Sequence, residues 1–208
     1  VAVERSPEQL SRARQLAAEA GDAASVDWRE GDALTLPLTD AEWGSFDVAH
    51  ARFLLEHVTD PQAVVHAMAR AVRPGGRVVI EDDDHEMFRP WPEPAHVPTV
   101  WRAYTRTYDR LGNDPLVGRR LVQLLAGAGL SPRRIEQLPF GACSGQPAFE
   151  PLVSNLMHIF EGAREAILGT GGASAEELDG ALVSLAAFAK RGDAALWYTI
   201  SWAEAVKP

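Results

Sequence analysis

The sequence predicts an α/β fold, a doubly wound and mostly parallel sheet covered by helices on both faces. Two observations predict it. Short β-branched runs alternate with amphipathic stretches of about ten or more residues. In addition, the stretch Phe46–Asp84, FDVAHARFLLEHVTDPQAVVHAMARAVRPGGRVVIEDDD, reads as strand, loop, helix, glycine turn, strand and acidic exit. That order is one parallel βαβ unit. Open α/β sheets bind ligands outside the carboxyl ends of their strands. His50, Arg52, His57, Asp82, Asp83 and His85 cluster at those ends, so this unit is expected to form the floor of the site.

Each element has a local cause. Val1-Ala2-Val3 is a short apolar strand that ends on Glu4. Ser6 then caps a helix, with Pro7 at its first position and Gln9 completing a capping box. Leu10, Ala13, Leu16, Ala17 and Ala20 give that helix its expected buried stripe, and Gly21 stops it. Residues 26–30 form a strand whose exit is Gly31-Asp32-Ala33. Phe46 to His50 is the next strand. Asp60-Pro61 opens a helix with Val64, Val65, Met68 and Val72 on its apolar face, and Pro74-Gly75-Gly76 turns the chain into a buried strand over 77–81. After an irregular stretch, residues 99–111 read as a helix, and Asp114-Pro115 opens another with a stripe of Leu116, Val117, Leu121, Val122, Leu124 and Leu125. Strands follow at 133–138 and 196–203. Between them lie helices at 146–168 and 174–191, the second opened by the box Ser174 to Glu177. With no strands of its own, that late pair reads as a cap added to the core.

Composition narrows the function. The formal charge is −9 and the isoelectric point about 5.1. Basic residues form no run longer than two, as at Arg119-Arg120, so no basic face exists for nucleic acid. A single cysteine, Cys143, excludes an internal disulfide and any multi-cysteine zinc site. No apolar run approaches the roughly eighteen residues of a membrane span. A small-molecule partner, a cytoplasmic location and a homodimer are the expectations.

Glu4 ends a strand directly before a capped helix. An acid there can accept two hydrogen bonds from ribose hydroxyls, or simply serve the helix N-terminus. Asp32, at the next exit, can accept from an exocyclic amine while the following N–H donates to a ring nitrogen; it can equally be a turn aspartate bonding its own backbone. Together the two favour a nucleoside. The run Asp82-Asp83-Asp84-His85-Glu86 carries the residue types that hold magnesium or manganese. Consecutive side chains diverge, however, so a solvated loop with one residue facing the pocket is preferred and no metal is assigned. Asp83, His85 and His57 are the candidate general bases. Phe88, Trp91, Trp101, Tyr104 and Tyr108 are read as walls of an apolar pocket.

Taken together, these segments resemble the class I S-adenosylmethionine-dependent methyltransferases of the small-molecule type. VAVERSPEQL is similar to the family's second strand, WREGDALTLPL to its third-strand exit, FDVAHARFLLEHVTDP to its fourth strand and loop, and ARAVRPGGRVVIED to its fifth strand. The resemblance implies a seven-stranded sheet with an antiparallel final strand, a single domain over 1–208, and substrate-cap insertions at 85–112 and 141–192. It implies S-adenosylmethionine as cofactor and S-adenosylhomocysteine as product. Glu4, with Arg5 beside it, would hold the ribose and Asp32 with Ala33 the adenine. His50, Ala51, Arg52 and Phe53 would lie near the methionine part and the sulfonium. The reaction implied is methyl transfer to O, N or C of a metabolite.

The family's first strand and glycine-rich loop have no counterpart here, so the chain is expected to be part of a longer one, with roughly fifty or more residues upstream. A non-catalytic domain of the same fold, binding a nucleoside or a protein partner, is the alternative. A dinucleotide-dependent oxidoreductase predicts a diphosphate-binding loop that the sequence does not show.

Overall fold

The computed structural model describes residues 1–208. Strands β1 (Ala2–Glu4) and β2 (Trp28–Glu30) pair in parallel, joined by helix α1 (Pro7–Ala20). Ser6 Oγ accepts from Gln9 N at 3.3 Å, and Gly21 closes the helix in the left-handed region at φ 82°. The return half of the capping box is absent. Glu4 Oε1 takes the Ser6 N–H instead, at 2.7 Å. Of the expected stripe only Leu10 is buried; Leu16 and Ala20 are exposed because nothing packs over the rest of α1.

The larger sheet holds β3 (Phe46–Arg52), β4 (Val72–Asp83), β5 (Arg89–Trp91), β6 (Ser131–Cys143) and β7 (Ala195–Val206). β3 and β4 run parallel, whereas β7 is antiparallel to β4, β5 and β6. The final strand is antiparallel as expected, but the sheet is mixed more than mostly parallel. The strands also form two sheets rather than one of seven. No hydrogen bond joins β1 to β3, and the edges they turn toward each other are unpaired. Between them lies an apolar cleft of about 470 Å³, lined by Val1, Val3, Phe46, Val48, Ala51 and others.

Helix α2 (Pro61–Ala71) begins at Asp60, whose Oδ1 accepts from Ala63 N at 2.9 Å. It buries Val64, Val65 and Met68 against β3 and β4, while Val72 already belongs to β4. The Pro-Gly-Gly segment lies within β4 as an irregularity against β3, not as the stop of the helix. Helix α4 (Leu121–Gly127) completes this core with Leu121, Leu124 and Leu125; Val122 of its expected stripe is exposed. The first part of that predicted helix, Val117–Arg120, is a 3₁₀ turn.

A second hydrophobic core of similar size gathers helices α3 (Val97–Thr105), α5 (Phe149–Gly162), α6 (Arg164–Gly169) and α7 (Ala175–Phe188) over one end of the large sheet. Phe149, Phe160, Ile167, Leu178 and Leu185 are fully buried there. Ser174 and Glu177 form the complete reciprocal capping box that opens α7.

Candidate functional site

Period-two geometry at the end of β4 assigns different tasks to successive acids. Val78, Ile80 and Asp82 share the face buried under α2 and α4; Asp83 points the other way. Asp82 Oδ2 accepts from Leu54 N at 3.0 Å and Leu55 N at 2.7 Å, and Oδ1 from Asp83 N. It thus pins the 3₁₀ turn Leu55–His57 that follows β3. Asp84 accepts a bidentate pair of hydrogen bonds from Arg119, at 2.9 and 2.8 Å. Gly118 lies beneath this strand end, where a Cβ would come within 2.6 Å of the Asp83 carbonyl, so only glycine permits the approach.

What remains is a cavity of about 390 Å³ between the strand ends and the second core, lined by Glu56, Asp83 and His85 among aromatic side chains. His85 sits in the 3₁₀ turn after β4. Its backbone N–H donates to Pro115 O, and its carbonyl accepts from Trp101 Nε1 at 2.7 Å. The ring is only 5% exposed, stacks on Trp101 and meets the edge of Tyr108. His85 Nε2 lies 2.8 Å from Glu56 Oε2. His85 Nδ1, like Asp83 Oδ1, is buried without a partner.

Burial, followed by the charge of Glu56, pushes the Asp83 carboxyl up to about 7. Burial likewise raises Asp82, to about 6, against the three N–H groups that favour its charge. Burial pulls Glu56 upward too, but the hydrogen bond and charge of His85 prevail and hold it below the ordinary range. Burial and the nearby carboxylates keep Tyr104, Tyr108 and Tyr198 protonated.

Sequence reasoning named Asp83, His85 and His57, and all three border this cavity. His57 is at its rim, half-exposed, with Nε2 3.4 Å from Glu56 Oε1. Two residues of the acidic run face the pocket, not one. Phe88, Trp101, Tyr104 and Tyr108 line it as expected, but Trp91 is exposed at the far end of β5 and takes no part. Glu56 was missed. Its place in Leu55-Glu56-His57, just after a strand, carries no local signal of burial.

The second set of residues gathers at the ends of β1 and β2. Gly31 N donates to Glu4 O at 3.1 Å, placing Asp32 beside Glu4, and Arg5 lies 3.9 Å from Asp32. Arg29 ties the following loop down through Pro37 O and Glu42. Asp32 Oδ1 accepts from Leu34 N in a local turn, while the Ala33 N–H has no acceptor in the chain. Ala33, His50 and Ala51 border the apolar cleft, and Phe53 lines the cavity, so the exit of β3 touches both. Glu81 engages His50 at 3.1 Å and Arg52 at 3.6 Å. Phe53 holds a φ of 50°, rare for a bulky side chain.

Residues 1–80 match the family model described as "Methyltransferase domain". Among curated relatives, the chain is 32% identical over 133 residues to an uncharacterized 37.1 kDa protein in a Streptomyces fradiae transposon, covering 63% of this chain and 36% of that protein. It is 35% identical over 91 residues to a 2-phytyl-1,4-naphtoquinone methyltransferase of Synechococcus elongatus, covering 44% and 36%. The chain thus spans about a third of the length of these relatives. Two solved structures share its fold. The [4+2]-cyclase SpnF aligns with a TM-score of 0.55 at 20% identity, over 99% of this chain and 64% of that one. Geranyl diphosphate C-methyltransferase from Streptomyces coelicolor, bound to magnesium, geranyl diphosphate and S-adenosyl-L-homocysteine, aligns with a TM-score of 0.51 at 14% identity, over 99% and 62%.

The chain has the fold of these structures, and its residues 1–80 match the methyltransferase-domain model.

Proposed function

We propose that the chain performs S-adenosylmethionine-dependent methyl transfer to a small-molecule metabolite. The observation that carries this reading is the exit of β3, which borders an apolar cleft reaching Ala33 on one side and an aromatic cavity with titratable groups on the other.

The donor set suits the nucleoside half of the cofactor. Glu4 and Asp32 each commit one carboxylate oxygen locally, leaving the other to accept from ribose hydroxyls and an adenine amine. Ala33 supplies a free N–H for a ring nitrogen. Arg5 accompanies Asp32, and His50, Ala51, Arg52 and Phe53 border the methionine end. The cofactor, when bound, supplies an electrophilic methyl group on a sulfonium.

In the cavity, aromatic walls orient the substrate and exclude water, which gives alignment much of the rate. Asp83, with its carboxyl near neutrality, and His85, oriented by Glu56, are the groups that accept a substrate proton; His57 stands at the rim. The aromatic segments after residue 85 and the helices over 141–192 form the substrate cap. No helix is long and apolar enough to cross a membrane, and the reading keeps a cytoplasmic setting, no nucleic-acid partner and a homodimer.

One observation favours a second reading. That reading is a domain of this fold that holds a nucleoside or a partner without transferring a group. The fold itself also serves a cyclase, so fold alone does not define the reaction. Calorimetric titration with S-adenosylmethionine, S-adenosylhomocysteine and NADH tests the main reading. Heat is expected with both sulfur nucleosides and none with NADH; no heat with either sulfur nucleoside ends it.

A further inference from the structure

Every charged side chain on the cavity wall is acidic or a histidine. The lining contains Glu56, Asp83, His57 and His85, and neither lysine nor arginine. The acids around it are compensated in a way these two are not. Asp84 has Arg119, Asp82 has three backbone N–H groups, and Glu81 has Arg52. Glu56 has only histidines within ion-pair distance. Asp83 has only His85, at 3.9 Å.

A buried carboxylate without a cation is costly unless a partner arrives or a proton neutralises it. Two further observations bear on what the cavity takes. His85, buried to more than nine-tenths, keeps an unpartnered Nδ1, and Asp83 Oδ1 is equally unpartnered. The surrounding surfaces are ring faces and edges from Trp101, Tyr104 and Tyr108, which attract a cation through their quadrupoles.

Resting on the methyl-transfer reading, we propose that the cavity takes a substrate whose reacting end is a protonated amine, held by Glu56 and Asp83 and walled by these rings. A metal ion answers the same charge, and the ligating atoms of Glu56, Asp83 and His85 lie within 4.8 Å of one another. The room and the walls decide for the organic cation. A cavity of about 390 Å³ with aromatic sides fits a drug-like frame and offers few oxygen ligands. The ammonium proton passes to the Asp83 carboxylate as the N–H bond breaks, leaving the nitrogen lone pair free. An anionic substrate would meet two carboxylates and no cation.

The test uses three probes of one shape and different charge, phenethylamine, phenethyl alcohol and phenylacetate, titrated into the protein with S-adenosylhomocysteine present. Phenethylamine is expected to bind roughly tenfold or more tighter than the alcohol, with phenylacetate weakest. Asp83→Asn and, separately, Glu56→Gln should each cut that preference severalfold. Equal binding of amine and alcohol, preference for the acid, or no binding of any probe overturns the proposal. So does saturable binding of manganese(II) alone that Asp83→Asn abolishes, which would make the site a metal centre. Heat from S-adenosylhomocysteine, recorded first, separates the two levels: its absence fails the methyl-transfer reading, whereas its presence without amine preference fails this inference alone.

Discussion

Glu4 and Asp32 stand at the ends of β1 and β2, each partly exposed and each with one oxygen already bonded to a neighbouring backbone N–H. Glu56 stands in the turn after β3 and Asp83 at the end of β4, the first buried and the second half-buried, both facing a histidine and aromatic rings. Both pairs are carboxylates near strand exits, and in the second burial and neighbouring charges shift the ionisation, Asp83 upward and Glu56 downward. The difference is burial. A solvated carboxylate recognises hydrogen-bond donors while keeping its charge; a desolvated one becomes a group that exchanges protons near neutrality. On the proposed function, one end of the strand array recognises the cofactor and the other reacts.

Removing Glu56 should break this contrast most severely. Glu56→Ala strips His85 Nε2 of its partner and relieves Asp83 of the repulsion that helps raise it. Methyl transfer should fall by about 100-fold or more, the usual worth of a positioned acid–base group. An unchanged turnover in steady-state kinetics would mean that the buried pair is structural only.

The solvated pair should show a smaller, purely binding effect. Asp32→Ala and Glu4→Ala should each weaken S-adenosylhomocysteine by about 1–3 kcal/mol in calorimetry, with turnover at saturating cofactor little changed. Loss of turnover without loss of affinity would reverse the assignment of the two pairs.

The pH dependence of stability sharpens the contrast further. Asp83 is raised from 3.8 to about 7, and Asp82 to about 6, so the folded state binds protons more tightly than the unfolded chain. Their contribution is fully favourable in acid and is lost as pH rises through that window. Denaturant midpoints should therefore show Asp83→Asn matching the native protein near about pH 4 and exceeding it near about pH 8. A native protein more stable than the variant at the higher pH would contradict the burial argument. Glu56, held low by His85, contributes with the opposite sign, and its share is lost in acid.

The smallest effect lies away from both pairs. Ser174→Ala removes one half of the capping box on α7 and should lower stability by ~1 kcal/mol in urea unfolding. A much larger loss would mean that the second core depends on that cap more than its buried apolar residues suggest.

The parts that were legible in the sequence are those with a local cause. Ser6, Asp60 and Ser174 cap their helices because capping needs only a side chain and the next turn. The place of β1 could be read for the same reason, since the capped helix α1 follows it directly. Glu56 could not. Its burial depends on Asp82 pinning the Leu55–His57 turn from 27 residues away and on Tyr108 arriving from another element. Asp82, Asp83 and Asp84 looked alike in sequence and differ because one packs under α2, one faces the cavity and one meets Arg119. The stripe on α1 failed for the converse reason: the pattern was helical, but nothing covers it beyond Leu10.

A crystal structure of the protein with S-adenosylhomocysteine tests the division between recognising and reacting ends most directly. The account predicts the adenine edge against Asp32 and Ala33, the ribose on Glu4, and the sulfur directed past Phe53 toward the cavity of Asp83 and His85. A nucleoside seated in that cavity, with Glu56 and Asp83 on its polar edge and the ends of β1 and β2 vacant, would contradict it.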